Sequence, residues 1–184
     1  MSKTNTYIPA LITIACTGAL LFYLKKNKTI MSKLDGNFFA DKEFTRSATA
    51  DKLGISNEPD EAAWQRLYAL RDNILNPARK LLGRAIHITS GYRSPELNAA
   101  VGGAANSQHV TGEAVDISTR NRTANQRLFA TLVSLGNFDQ LIWEKGGEWI
   151  HVSHKADAAN RGQMLAYDGS KYYNINNNWQ NAIA

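Results

Sequence analysis

Cysteine is almost absent from this sequence, and its scarcity limits the chemistry that the chain can support. The 184 residues include a single cysteine, Cys16, so no disulfide can form within the chain. A zinc site built from several cysteines is excluded for the same reason. Any bound metal must therefore be held by carboxylates and by the four histidines, which are His87, His109, His151 and His154.

Charge of one sign is also scarce once the first 36 residues are set aside. The formal net charge is +5, but residues 1–36 alone contain five lysines and one acidic residue. The remaining residues, 37–184, contain 16 basic and 15 acidic side chains. Because binding to DNA or RNA depends on a concentrated positive field, this near balance argues against a nucleic-acid partner.

Long hydrophobic runs are limited to the N-terminus. Residues 7–24 include no charged side chain over 18 positions, which is the lower limit for a bilayer span and also fits the core of a signal peptide. Three lysines follow within residues 25–28, so the positive-inside rule would leave the rest of the chain in the cytoplasm. Met31, where Met-Ser-Lys repeats the first three residues, is an alternative start. We expect residues 1–36 to be an anchor-like or signal-like apolar segment with a basic linker.

Residues 37–184 have the length and the hydrophobic patterning of one domain. From Pro59, apolar residues recur every three or four positions, which predicts a helix interrupted at Pro77 and ended at Gly83. A second such stripe ends at Gly136. Strands are expected at residues 86–89, 114–118, 141–143, 149–152, 164–167 and 172–175. This order predicts an α+β domain with a small antiparallel sheet and helices packed on one side.

Two of the histidines stand where a carboxylate could share a metal with them. His109 and Asp116 are seven residues apart across a loop that can fold back and bring both side chains to one point. His151, from the distant hairpin, would be the third ligand, and three protein ligands would leave the fourth zinc position for water. From the residues alone, packed histidines and a solvent-facing aspartate explain the same positions.

Glu148 is a candidate for the general base of such a site because it lies three residues before His151. On a regular strand, residues three apart point to opposite faces, so the two side chains converge only if the chain bends. Gly146 and Gly147 provide for a bulge or a turn end at this place. A charged residue beside a hairpin turn is the alternative interpretation.

Three short motifs together resemble the zinc D-alanyl-D-alanine peptidase family. They are Ser90-Gly91-Tyr92-Arg93-Ser94, the run from Ser107-Gln108-His109 to Asp116, and Glu148-Trp149-Ile150-His151. The family includes cell-wall carboxypeptidases, vancomycin-resistance dipeptidases and many phage endolysins, and it shares its fold with the hedgehog signalling domain. The resemblance extends over about residues 38–153.

The resemblance implies a role for each matching residue. His109, Asp116 and His151 are the implied ligands of one Zn²⁺ ion. Glu148 is the implied catalytic base, and Arg93 is the implied cation beside the scissile bond. These residues fit a single-step hydrolysis, in which a base moves a proton and a cation stabilises developing negative charge.

The resemblance also implies a substrate and a place of action. The expected activity is hydrolysis of peptidoglycan stem peptides, by a D-Ala-D-Ala carboxypeptidase or an endolysin-type endopeptidase. Ser107 would either bind a carboxylate of the substrate or only shape its loop. A zinc-stabilised, catalytically inactive wall-binding module is the alternative. We expect a monomer in the bacterial envelope, anchored through residues 7–24 or secreted, or held in the host cytoplasm until lysis if phage-encoded.

Overall fold

The computed structural model of the protein describes residues 36–184, so the predicted membrane-associated segment at residues 7–24 lies outside the described residues. Phe38–Ala184 form one compact unit. Its helices are α1 (Asp41–Thr45), α2 (Ala48–Leu53), α3 (Glu61–Leu70), α4 (Asn76–Leu82), α5 (Pro95–Ala100), α6 (Arg122–Leu135) and α7 (Trp179–Ala182). Its strands are β1 (His87–Ser90), β2 (Ala114–Ser118), β3 (Gln140–Glu144), β4 (Trp149–Ser153), β5 (Gln163–Tyr167) and β6 (Tyr172–Asn174). Within this part of the chain, every helix is too short or too polar to cross a membrane.

The helical path from α3 to α4 begins and ends at its capping residues. The Asp60 side chain accepts a hydrogen bond from the Ala63 amide at 2.7 Å, and α3 begins directly after Asp60. Gly83, with φ of +63°, ends α4. The chain stays helical at Pro77, where the sequence predicted an interruption. Proline has no amide hydrogen to donate, and the π-helical turn Arg71–Leu75 just before it keeps the path continuous.

The six strands form one mixed sheet, so the prediction of a wholly antiparallel sheet is wrong, whereas the α+β class is confirmed. The strand order is β1-β2-β4-β3-β5-β6, and every neighbouring pair is antiparallel except β3 and β5. Because β4 runs antiparallel to β3, it ends at Ser153 beside Gln140, the start of β3. Residues 154–162 then cross beside the start of β3 and lead to Gln163, which pairs with Gln140. This short crossing forces β5 to run parallel to β3.

The turn between β3 and β4 has the glycine conformations that its sequence predicts. Gly146 and Gly147 have φ of +65° and +92°, in the left-handed region. A Cβ atom at Gly147 would lie 2.0 Å from the Trp143 ring, so a larger residue does not fit there. The four residues 145–148 separate the two strands and fix their register.

Alternate residues of the sheet face two different environments. On one face, side chains pack into the hydrophobic core with α3, α4 and α6; among them are Val115, Ile117, Leu141, Trp143 and Ile150. The opposite face borders a cavity of about 740 Å³, whose sheet residues include Asp116, Ile142, Glu144, Trp149, His151 and Leu165. The helices therefore support the sheet from behind, and the cavity lies on its free face.

Candidate metal centre

Two neighbouring strands and one loop bring three metal-binding side chains together in the cavity. Asp116 on β2 lies directly opposite His151 on β4 in the sheet register. His109 comes from the loop between α5 and β2. One possible ligand atom from each of the three residues lies within 4.8 Å of the other two, and among residues 36–184 this is the group of this kind that occurs. The three residues form what we call the metal group.

The atoms of the metal group are spaced like the ligands of a tetrahedral zinc ion. His109 Nε2 and His151 Nδ1 are 3.2 Å apart. They lie 3.3 Å and 3.0 Å, respectively, from Asp116 Oδ1. Zinc bonds of about 2.0–2.1 Å at tetrahedral angles place two ligand atoms about 3.3 Å apart. Two imidazoles and one carboxylate are also donors that zinc accepts, so this group could hold the ion and leave its fourth position open.

A hydrogen bond on the far side of the His109 ring directs the other nitrogen into the metal group. His109 Nδ1 lies 2.7 Å from the carbonyl oxygen of Gly91. A carbonyl only accepts, so Nδ1 carries a proton, and Nε2 is the ring nitrogen that faces Asp116 and His151. Gly91 can pack against the Phe44 backbone because it has no Cβ atom, which would lie 2.2 Å from the carbonyl oxygen of Phe44. The glycine of the Ser90–Ser94 motif thus helps to position a ligand.

Asp116 is held through its second oxygen by Arg93. The guanidinium Nη2 donates to Asp116 Oδ2 at 2.9 Å, while Nε and Nη2 donate to Ser90 Oγ at 3.1 Å and 2.9 Å. Burial by itself would raise the pKa of Asp116, but the charges and hydrogen bonds of His109 and His151 hold that pKa well below its usual value. Asp116 is therefore ionised, as a metal ligand must be.

Asp139, a buried carboxylate just before β3, connects the loop that carries His109 to Arg161 on another wall of the cavity. Asp139 is fully buried and accepts hydrogen bonds from Arg161 on both oxygens, the shortest being 2.6 Å from Nη2 to Oδ2. Gln108 Nε2 donates to the same carboxylate at 3.1 Å. Burial raises the pKa of Asp139, but the hydrogen bonds and charge of Arg161 outweigh it and lower the pKa to about 2. Because Gln108 adjoins His109, this contact fixes the loop that carries a ligand.

The structure does not bring Glu148 to the metal group. Its side chain is exposed and is not part of the cavity lining. Its backbone carbonyl accepts a hydrogen bond from Ser118 Oγ at 2.9 Å. Trp149 and His151 line the cavity, so in an extended chain the residue before Trp149 points to the other side. The bend that would turn Glu148 toward His151 does not form.

Ser107 of the second motif and His154, outside the motifs, both have defined contacts. Ser107 lines the cavity, and its Oγ accepts a hydrogen bond from the His109 amide at 3.4 Å. This contact shapes the ligand loop, and binding of substrate by Ser107 stays a prediction. His154, three residues after His151, lies outside the metal group, with Nδ1 2.8 Å from the Asn137 carbonyl oxygen.

The cavity residues that the sequence did not predict include Glu144 at the end of β3 and Tyr172 at the start of β6. Glu144 is 7 % exposed, and Tyr172 Oη donates to its Oε1 at 3.2 Å. Burial raises the pKa of Glu144, and burial together with the Glu144 charge raises the pKa of Tyr172 to about 12. The signal for Glu144 was its alternation with Ile142 in a run that is otherwise apolar.

The chain matches a known protein family over most of its described length. The family model described as Peptidase M15 matches residues 37–153. This span covers more than half of the chain and contains the whole metal group, His109, Asp116 and His151. A search among curated proteins finds no match. The chain belongs to the peptidase M15 family, the zinc D-alanyl-D-alanine peptidases that its three motifs resemble.

Proposed function

We propose that this protein is a zinc-dependent metallopeptidase that hydrolyses peptidoglycan stem peptides, as a D-Ala-D-Ala carboxypeptidase or as an endolysin-type endopeptidase. The observation that carries the proposal is the spacing of His109, Asp116 and His151 in a cavity of a peptidase M15 domain. A monomer suffices, because one chain supplies all three ligands. On this proposal the protein acts at the bacterial cell wall, from the envelope or after release from a lysing host.

The metal group would hold the ion and set its charge. Bound zinc would lower the pKa of a coordinated water to about 7 and polarise the scissile carbonyl. His109 would offer Nε2 to the ion, because Nδ1 donates its hydrogen bond to the Gly91 carbonyl oxygen. Asp116 contributes a negative charge that Arg93 supports through its second oxygen. The supporting contacts keep these ligands oriented before any substrate enters.

Arg93 also has donors to offer to the substrate. Its hydrogen bonds to Ser90 and Asp116 use Nε and Nη2, which leaves the two N–H groups of Nη1 for a substrate oxygen. A fixed guanidinium in the cavity wall stabilises negative charge that develops on a carbonyl oxygen. We place Ser107, on the same cavity lining, at the carboxylate of the peptide.

An inactive, zinc-stabilised wall-binding module is the second candidate, and one observation favours it. Such a module needs the metal group but no general base, and Glu148 lies outside the cavity. The two candidates differ in turnover, since both would bind zinc and cell-wall peptides.

Hydrolysis of defined stem peptides tests the proposal. Purified protein is incubated with synthetic stem peptides ending in D-Ala-D-Ala and with cross-linked muropeptides, and the products are identified by mass. We expect cleavage that stops when a chelator removes the metal and returns when zinc is added back, because the reaction depends on the metal group. Stoichiometric zinc binding without any cleavage would instead establish the binding module.

A further inference from the structure

Three carboxylates line the cavity, and they differ in the groups that they contact. They are Glu113, Asp116 and Glu144. Asp116 belongs to the metal group, and its two oxygens face the histidines and Arg93. Glu113 is half-buried and accepts a hydrogen bond from Thr111 of its own loop at 3.1 Å. Glu144 lies outside the metal group and is buried. It is on the same face of the sheet as Asp116 and His151.

Glu144 lies one step along the sheet from a metal ligand. In the β3–β4 register, Ile142 pairs with His151 and Glu144 pairs with Trp149. Glu144 and His151 are therefore diagonal neighbours on one face, a relation of about 7–8 Å that a long side chain can bridge. Glu148, the glutamate of the sequence motif, has no such position because it is exposed outside the cavity.

The partner of Glu144 comes from a part of the chain that the family match does not cover. Tyr172 Oη donates to Glu144 Oε1 at 3.2 Å, from β6, whereas the match ends at residue 153. Tyr172 also contacts the Tyr167 ring at 4.7 Å between ring centroids, which fixes its own place in the cavity wall. A hydrogen bond on one oxygen restricts rotation of the Glu144 carboxylate and leaves the second oxygen to serve another donor.

We propose that Glu144 is the carboxylate that transfers the proton during peptide hydrolysis and that Tyr172 is its positioning residue, an inference that rests on the proposed function. A Glu144 oxygen takes one proton from the attacking water, while the water oxygen bonds to the scissile carbonyl carbon. The C–N bond then breaks, and Glu144 returns the proton to the leaving nitrogen. The products are a carboxylic acid and an amine, so atoms and charge balance without a further reactant.

Matched glutamine variants separate the two glutamates. Glu144→Gln keeps the size of the side chain and an acceptor for Tyr172 but removes the proton-accepting oxygen. We expect kcat on a stem peptide to fall by about 1000-fold with zinc affinity unchanged within about threefold, because a general base is lost and no ligand is touched. Glu96→Gln, at an exposed glutamate of α5 outside the cavity, is the control and is expected to keep kcat within about twofold. Full activity in Glu144→Gln, or loss of activity in Glu148→Gln alone, would overturn the assignment.

Matched phenylalanine variants test the positioning role of Tyr172. Tyr172→Phe is expected to lower kcat about tenfold with little change in KM, as loss of a supporting hydrogen bond does. Tyr173→Phe, on the neighbouring residue outside this cavity, is expected to leave both constants unchanged. Equal effects of the two variants, or a change confined to KM, would refute the positioning role.

The hydrogen bond can also be measured without turnover, in the metal-free protein. We expect Tyr172→Phe to lower the urea midpoint of unfolding in the wild-type background and to have almost no further effect in Glu144→Ala, because the partner is already gone. Additive shifts would refute the pairing of the two residues. A wild-type protein that binds zinc and cuts no peptide would overturn the proposed function itself, whereas an active wild type with an active Glu144→Gln would overturn this inference alone.

Discussion

His109 and Asp116 are each held on the side that faces away from the metal group. The carbonyl oxygen of Gly91 accepts a hydrogen bond from His109 Nδ1 at 2.7 Å, and Arg93 Nη2 donates to Asp116 Oδ2 at 2.9 Å. Contacts of this kind fix the ring orientation, the tautomer and the charge of a ligand before the ion binds. The entropy that these side chains would lose on binding a metal is correspondingly smaller, because they are already ordered. Individual residues, rather than the average polarity of the cavity, thus define the site.

Removing one ligand tests the metal group against a matched histidine. We expect His151→Ala to weaken zinc binding by at least about 100-fold, because each ligand carries a large share of the binding free energy. His154→Ala, a buried histidine that bonds to Asn137, should keep its zinc even though its stability falls. Zinc titration monitored by a competing chelator measures both affinities, and added zinc should raise the unfolding temperature of wild type and His154→Ala only. Equal zinc affinity in all three proteins would refute the ligand assignment.

The grouping of His109, Asp116 and His151 could be predicted from the sequence, but the glutamate on their sheet face could not. The spacing of His109 and Asp116 indicated a loop that folds back, and the structure brings both to His151. The separation of Glu148 from His151 placed the two side chains on opposite faces of a regular strand, and the sequence did not show whether Gly146 and Gly147 bend the chain enough to change this. Parity after a hairpin depends on the number of residues in the turn, and the four residues of this turn place Glu144, not Glu148, on the cavity face.

The helices, strands and turns show a similar division between local and long-range information. Capping by Asp60 and Gly83 and the glycines of the hairpin turn are local, so they could be predicted from the sequence. The parallel pairing of β5 with β3 depends on where residues 154–162 cross the sheet, which no local pattern encodes. The mixed sheet was therefore missed although its strands were located.

Asp139, just before β3, makes the contact between elements that we expect to contribute most to keeping the ligand loop in place. Because Arg161 lowers the pKa of Asp139 to about 2, the ionised carboxylate stabilises the fold above the usual aspartate pKa. This contribution is lost as the pH falls from about 4 toward about 2, where Asp139 is protonated. We expect Asp139→Asn to lower the free energy of unfolding by about 1.5–3 kcal/mol at pH 7, the value of hydrogen bonds to a charged group.

Urea unfolding of wild type and Asp139→Asn at a series of pH values measures this contribution. The difference between the two proteins should shrink as the pH approaches 2, since wild type then also lacks the charge. Asp157→Asn, at an exposed aspartate in the loop after β4, is the control and should unfold like wild type. A difference that is independent of pH would show that the charge of Asp139 does not stabilise the loop.

The whole domain consists of a sheet supported by helices on one face and open to a cavity on the other. The family match ends at residue 153, yet β5 and β6 complete the far wall of that cavity with Leu165, Tyr167 and Tyr172. The metal group therefore lies in the matched part, whereas one wall of the cavity lies beyond it. Because pocket walls decide which peptide a peptidase accepts, we expect the choice of scissile bond to depend on β5 and β6.

Binding of one zinc ion by His109, Asp116 and His151 can be seen in an anomalous difference map recorded at the zinc edge from zinc-grown crystals. We expect one strong peak about 2.0–2.2 Å from His109 Nε2, Asp116 Oδ1 and His151 Nδ1, with a fourth position free of protein ligands. A map with no peak at these three atoms, or with the ion bound elsewhere in the domain, would contradict this assignment.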